Sequence, residues 1–455
     1  MNRKTYFLSA SHVTTVLLLF SVLSTFAGTR GSLDAKRDRD NRRPAVKPTK
    51  QKAAHAAGEN VILQWNRVLQ ETIRTPGQHP GTIFPVRSFA MMHGAMFDAV
   101  NSIDRSYTPY LIDVGGAPRD SQEAAAAKAA RDVLVALYPG RQQIFDEELA
   151  ISLEGIPFSR IWRALIIGQA TATRMLETRA NDGWNATPPT YTLPPVPGNW
   201  QPAPPANAPA AFTHVPAVMP FALSSGHHFA PNPPPALTSA QYADDLNEVK
   251  AIGSATSSTR TAEQTQIAQL WANVNTPTTI FFVWNNVARS VAIARNNTTA
   301  QNARLFALLN MSFHDALQTT MTSKFVHGLW RPVTAIRRAD EDGNAGTDPD
   351  PNWLPLLGNP PYPTYAGNHA AIGTSQSTIL GLVFGRDDIQ FQHTWDGAGG
   401  ATRSYESFSE MANEEERSRV YGGIHFTFDQ VAGQSAGRNV ANYIFLNFMK
   451  PRCER

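Results

Sequence analysis

Three cationic side chains and two imidazoles gather in the last third of this 455-residue chain. Lys324-x6-Arg331-Pro332 comes first, His369 lies between, and Ser418-Arg419-x5-His425-x3-Asp429 completes the set. Arginine presents a planar fork of donors that matches an oxyanion, lysine adds a point charge, and histidine exchanges protons near neutral pH. Together they are the parts needed to hold a tetrahedral oxyanion and do acid/base chemistry beside it. At average residue frequencies the four fixed letters of the last cluster would arise by chance in about one chain of this length in several hundred.

The local sequence says how each group is presented. Lys324 and Arg331 are seven residues apart, two helical turns, so both side chains can point the same way, and Pro332 would then end the turn or reorient it. The alternative for this pair alone is a solvated basic face. His369 follows Pro363-Thr364-Tyr365-Ala366-Gly367-Asn368 and precedes the apolar run Ala370 to Phe384, which places it in the first turn of a helix. Free backbone amides and the positive end of the helix dipole favour an anion there. Gly422-Gly423-Ile424 leads into a second helix predicted from His425 to Phe448. Asp429, one turn on, can accept a hydrogen bond from the imidazole and fix its tautomer. His93 and His314 sit in apolar runs and read as structural, and His227-His228 lacks a carboxylate at ligand spacing. His327 lies close enough to Lys324 to support it indirectly. No H-E-x-x-H, phosphate-binding loop or dinucleotide fingerprint is present.

The elements that must position these groups read as helices almost throughout. Val61 to Leu69, Phe89 to Val100, Ser121 to Leu137, Ile144 to Leu153 and Ile161 to Arg179 form a first series, with Ser121 and Glu123 a good helix entry. Asp182 to Pro235 is dense in Pro, Ala and Asn yet carries Trp184, Trp200, Phe212, Phe221 and Phe229, so it is expected to be ordered and irregular rather than a flexible linker. Helical patterns resume at Ser239 to Ile252, Ala262 to Val274, Ser290 to Arg295, Ala303 to Thr319 and Tyr405 to Arg417. Alternating β-branched runs are scarce and no repeat at a fixed period is visible. The expected fold is all-α, with a helical half over 58–185, a Pro-rich connection over 186–236 and a second helical half over 237–455 that carries the oxyanion site.

The first 28 residues read as a secretory signal, from Arg3 and Lys4, an apolar run over Val13 to Ala27 and the small-residue site Thr25-Phe26-Ala27. A secreted or periplasmic location follows as an expectation. No later run is long enough to span a bilayer. Residues 29–57 read as a basic, disordered spacer. Residues 1–57 hold 11 Lys+Arg and 3 Asp+Glu, which leaves 29 against 34 in the remainder. That slightly acidic body argues against a nucleic-acid partner. A single cysteine, Cys453, excludes an internal disulfide.

The three clusters resemble the three-part signature shared by vanadium-dependent haloperoxidases and type 2 phosphatidic acid phosphatases. The flanking text, Ala303-Arg304-Leu305-Phe306-Ala307-Leu308, Asp315-Ala316 and Pro361-Tyr362-Pro363-Thr364-Tyr365, is similar to the haloperoxidase branch over about Ser239 to Asn447. The resemblance implies an α-helical body with two four-helix bundles and a vanadate at the end of one, at a site that phosphate can also occupy. It implies that Lys324, Arg331 and Arg419 neutralise the vanadate oxygens, that His425 bonds the vanadium, and that His369 is the acid/base group. It further implies hydrogen peroxide, a halide and a small-molecule acceptor as reactants, with hypohalous acid as product.

One departure stands out. The family reads Pro-Ser-Gly-His where this chain reads Ala366-Gly367-Asn368-His369, so the serine hydroxyl is absent at Gly367 and Asn368 supplies its backbone amide and side chain instead. Loss of one hydrogen bond to a charged oxygen costs about 1.5–3 kcal/mol, roughly ten- to a hundredfold in affinity. Tyr362 occupies the position seven before His369 that the family links to halide preference, and matches neither common choice. Two other functions use the same constellation. A phosphatase would form a phosphohistidine at His425, oriented by Asp429, with His369 protonating the leaving oxygen. A non-catalytic protein would only bind the oxyanion.

Overall fold

The computed structural model describes residues 58–78, 83–272, 280–395 and 400–452. The leader and basic spacer read over 1–57 lie outside them. Residues 55–455 form one compact unit.

Side-chain caps explain where several of the helices begin. Asn60 accepts from the amides of Ile62 and Leu63 and starts α1 (Val61–Arg74). Pro85 opens α2 (Pro85–Asp104), where a missing N–H costs nothing. Ser121 caps α3 (Gln122–Leu137), which leads through α4 (Gln142–Leu153) to α5 (Phe158–Arg179). Beyond the Pro-rich segment, Ser239 caps α6 (Ala240–Ile252). Reciprocal Thr–Gln capping boxes start α7 (Ala262–Trp271) and, after α8 (Ile280–Ala294), the long α9 (Thr299–His327). Gly328 ends α9 in the left-handed region at φ 57°. Short α10 (Pro332–Arg337), then α11 (Asn368–Phe384), α12 (Phe408–Tyr421) and α13 (Thr427–Asn447) complete the set among the described residues.

Among the described residues the all-α expectation holds with one local exception. Strands β1 (Phe391–Trp395) and β2 (Ala401–Tyr405) pair antiparallel, with Phe391 opposite Tyr405 and Trp395 opposite Ala401. The expected helix from Tyr405 therefore starts later, at Phe408, because Tyr405 closes the ladder and Ser407 supplies the cap.

Two bundles emerge, and they repeat one design. In the first, α2 packs on α3 and α5; in the second, α9 packs on α11 and α13. Trp65-Asn66-x-Val68 of α1 recurs as Trp284-Asn285-x-Val287 of α8, 219 positions on. Arg87-x-Phe89-Ala90 and Asp98-Ala99 of α2 recur 217 positions on as Arg304-x-Phe306-Ala307 and Asp315-Ala316 of α9. The repeated residues do repeated jobs. Arg87 donates to Arg179 O at the end of α5, and Arg304 to Met449 O just past α13. Asp98 accepts three successive amides, from Tyr110, Leu111 and Ile112. Asp315 accepts from Phe221, Ala222 and Leu223. Asn66 and Asn285 meet at 2.8 Å in the buried seam between the bundles. This duplication was invisible as a periodic pattern because the two offsets differ and the shared letters are few.

The Pro-rich segment is pinned to α9 by Asp315 and carries buried Trp184, Trp200 and Phe221. A cation over a ring adds to that hold, with the Arg179 guanidinium 3.4 Å from the Phe221 centroid.

Candidate active site

Lys324 lies on the last full turn of α9 with its side chain completely buried. Its Nζ donates to the carbonyls of Thr364 and Ala366, both at 2.6 Å, and so ties α9 to the turn that enters α11. Arg331 is not on the same helix. Gly328 breaks α9, and Arg331 stands at the N-cap of α10. Its side chain still reaches the site, where Nε donates to Tyr362 O at 2.8 Å and Nη1 to Ile424 O at 2.8 Å.

His425 is also off its helix. It precedes the cap residue Phe426, and α13 begins at Thr427. Asp429 explains the geometry: its Oδ2 accepts the Phe426 amide at 3.0 Å, as the third residue of a capping box, and faces His425 Nδ1 at 2.9 Å. Thr364 Oγ1 lies 3.1 Å from the same Nδ1 and donates to Asp429 Oδ2. On the other side of the ring, Arg331 Nη1 approaches His425 Nε2 at 3.2 Å. Both sides agree on one tautomer: the proton sits on Nδ1 and the lone pair on Nε2.

Gly367 caps α11, Asn368 is its first residue and His369 its second, as the sequence predicts. The Gly367 amide is engaged by Asp429 O at 2.8 Å. A Cβ built on Gly367 would lie 2.7 Å from the Gln430 side-chain oxygen. Gln430 is fully buried and its amide group has no protein partner. The room that a serine side chain would need is thus taken by Gln430. Asn368 Nδ2 contacts Met321 Sδ at 3.4 Å. Tyr362 lies beneath two cations, 5.5 Å from Lys324 Nζ and 5.1 Å from Arg331 Cζ to the ring centroid.

Arg419, in the last turn of α12, donates from Nη1 to Trp271 O at 3.1 Å. A residue that spacing alone did not select stands four positions earlier. Glu415 is fully buried, receives Trp284 Nε1 at 2.8 Å and faces His369 Nδ1 at 3.3 Å. Its signal was the i, i+4 spacing to Arg419 on one helix face, masked by the run Glu414-Glu415-Glu416, which reads as a solvated face. Thr364 was likewise missed. Neither His93 nor His314 approaches the cluster; His93 bonds Asn66 at 2.9 Å and His314 lies against Asp315. His327 packs edge-on to Tyr365.

Tyr362, Asn368, His369, Arg419 and His425 line one cavity of about 430 Å³. Its remaining wall is mostly apolar, including Ile83, Phe212, Phe281, Leu317 and Ile372. Burial sets the electrostatics. It lowers Lys324 well below 10.5, helped by the positive charge of Arg331 and opposed by Asp429. It also lowers His425 and His369, with Arg331, Lys324 and Arg419 adding repulsion for the first, and Arg419 and Lys324 for the second. Asp429 is raised to about 6, chiefly by desolvation. Cations crowded together without solvent await a counter-charge. Arg331 Nη2 and Arg419 Nε are buried and have no protein acceptor. An oxyanion would satisfy both, so the donor set fits a vanadate or a phosphate.

Comparison with known proteins bears on the fold that carries these residues. Residues 304–452 match the family described as the VCPO second helical-bundle domain. The chain is 30% identical over 185 residues to vanadium chloroperoxidase of Curvularia inaequalis, a match covering 34% of this chain and only 29% of that enzyme. The crystal structure of the first bacterial vanadium-dependent iodoperoxidase superposes with a TM-score of 0.71 at 25% identity, covering 86% of this chain and 97% of that one. A holo-type bacterial vanadium-dependent chloroperoxidase shares the fold, with a TM-score of 0.64 at 15% identity over 85% of this chain and 96% of the other. The match over residues 304–452 and the shared helical fold make this chain similar to the vanadium-dependent haloperoxidases.

Proposed function

We propose that the protein is a vanadate-dependent haloperoxidase, oxidising a halide with hydrogen peroxide and passing the oxidised halogen to a small organic acceptor. The observation that carries this reading is His425. Its tautomer is fixed from both sides, leaving an Nε2 lone pair in a buried cradle of Lys324, Arg331 and Arg419, as an atom that must bond a metal centre requires. Bound vanadate would supply Lewis-acid activation of the peroxide without changing oxidation state. Lys324, Arg331 and Arg419 would neutralise its oxygens, and Asn368 would offer its amide at the start of α11. His369, buried beside Arg419, would take a proton from the incoming peroxide and return it to the departing oxygen. Tyr362 lies under Lys324 and Arg331 where a halide would approach. A cavity of about 430 Å³ far exceeds the needs of peroxide and halide, and its apolar wall suits an apolar organic acceptor.

The test is a bromination assay on purified protein, with and without added orthovanadate, run beside hydrolysis of a phosphate ester. Vanadate-dependent bromination is the expected result. Ester hydrolysis inhibited by vanadate, with no halogenation, would establish a phosphatase instead, and silence in both a binding protein. In the same series His425→Ala is expected to abolish vanadate retention in equilibrium dialysis. His369→Ala should retain vanadate and lose most turnover.

A further inference from the structure

We propose that Glu415 is the positioning residue for His369, holding the ring by Nδ1 through a shared proton so that Nε2 is the nitrogen that exchanges protons with the bound oxyanion. The inference rests on the oxyanion reading of the site, and concerns a pair that no part of the haloperoxidase signature includes.

The geometry leaves little alternative. Glu415 Oε1 and His369 Nδ1 face each other at 3.3 Å, and neither atom has another partner. The carboxyl cannot swing away: Trp284 Nε1 holds Oε2 at 2.8 Å, and Gly373 lets it lie against α11, where a Cβ would stand 2.7 Å from Oε2. The glutamate side chain is wholly buried and the histidine nearly so. Two bare acceptors facing each other in such a place would repel, so a proton must lie between them.

That proton gives the pair two states. In one, Oε1–H donates to Nδ1 and the ring carries its own proton on Nε2. When Nε2 gives its proton outward, the shared proton passes from Oε1 to Nδ1, and the negative charge comes to rest on a carboxylate held by the Trp284 N–H and facing Arg419. Acceptance of a proton at Nε2 runs the same shift backwards. No step creates an unpaired imidazolium beside Arg419, Lys324 and His425, the charged and titratable groups around it on α12, α9 and the approach to α13. The separate directions agree, since burial raises Glu415 and lowers His369, which keeps both neutral in the protonated pair.

The test follows the His369 ring by nitrogen-15 NMR in the full chain, with and without inorganic phosphate, so that it needs neither halide nor peroxide. Glu415→Gln should lower the apparent pKa of the ring by more than about one unit and leave phosphate affinity within about threefold. Trp284→Phe, which removes the donor to Oε2, should move the same pKa upward. Opposite shifts are what a shared proton requires, and packing damage would not produce them. In whichever assay reports turnover, Glu415→Gln should reduce kcat about 10- to 100-fold with KM little changed. Unchanged ring titration in both variants, or equal losses of phosphate affinity and turnover, would overturn the proposal. Failure of bromination alone would count against the haloperoxidase reading and leave this one standing.

Discussion

Gly367 and Gln430 divide a space that either could fill alone. The Gln430 amide stands where a side chain at 367 would grow, so the family's serine cannot simply be restored. Gly367→Ser should force Gln430 aside and cost about 1–3 kcal/mol by overpacking. Gly367→Ser combined with Gln430→Ala should recover most of that stability and bind phosphate or vanadate more tightly than the parent, as calorimetry would show. Lys324 gives a second handle. Its folded-state pKa is depressed below 10.5, so the folded protein binds fewer protons than the unfolded chain between that lowered value and 10.5. Its burial therefore destabilises at low pH, and the burden is relieved as pH rises through that window. Relative to Lys324→Met, the Tm of the anion-free parent should improve from about pH 6 to about pH 9. Added phosphate should stabilise the parent most at the lower pH, with proton uptake visible in calorimetry. The charged spacing that marked Lys324, Arg331, His369, Arg419, His425 and Asp429 was legible because fixed charges rarely cluster without a counter-ion. Thr364 and Glu415 were not, because a single hydroxyl and one acid within a run carry no pattern until the chain folds.

Helices α11 and α13 must lie close for the site to exist, since one carries His369 and the other caps His425. Two glycines on α13 permit it. A Cβ at Gly433 would lie 2.3 Å from Gly367 O, and one at Gly437 would lie 2.2 Å from Ala371 O. Gly433→Ala should push α13 from the start of α11, destabilise the fold by about 1–3 kcal/mol and weaken phosphate binding at least tenfold. Gly437→Ala, one turn further from the cradle, should destabilise similarly with less effect on binding; thermal melts and calorimetry on both separate the two effects. Helix positions were readable from apolar periodicity and, at Ser121, from a cap. Their exact ends were not. A seven-residue spacing suggests one continuous helix for Lys324 and Arg331, but Gly328 turns the chain and delivers Arg331 from a cap instead. The antiparallel pair of Phe391–Trp395 and Ala401–Tyr405 carried no clear sequence signal because its strands are five residues each and its core partners come from α8 and α12.

Across the molecule, matched acids hold matched strips of chain. Asp98 and Asp315 each gather three backbone amides, and removal of either should cost about 3–5 kcal/mol by leaving those buried donors unpaired. The consequences should diverge. Asp315→Ala should also loosen the Pro-rich segment that supplies Ala211 and Phe212 to the cavity, raising its susceptibility to limited proteolysis and the KM for an apolar acceptor. Asp98→Ala should do neither. The all-α class was plain from the sequence, whereas the doubling of the body was not, since only paired structural roles reveal it. That doubling lets the molecule serve as its own reference. Helix α2 stops at Asp104, whose counterpart on α9 is Met321, yet α9 runs on to His327 and places Lys324 on the added turn. The Arg latch and the amide-gathering Asp, which the first bundle also possesses, can be struck from the inventory of chemical necessities. What survives the subtraction is the extension of α9 that carries Lys324, the entry to α11 with His369, the Glu415–Arg419 face of α12 and the approach to α13 with His425, and a designer would begin from those four to make such a bundle reactive.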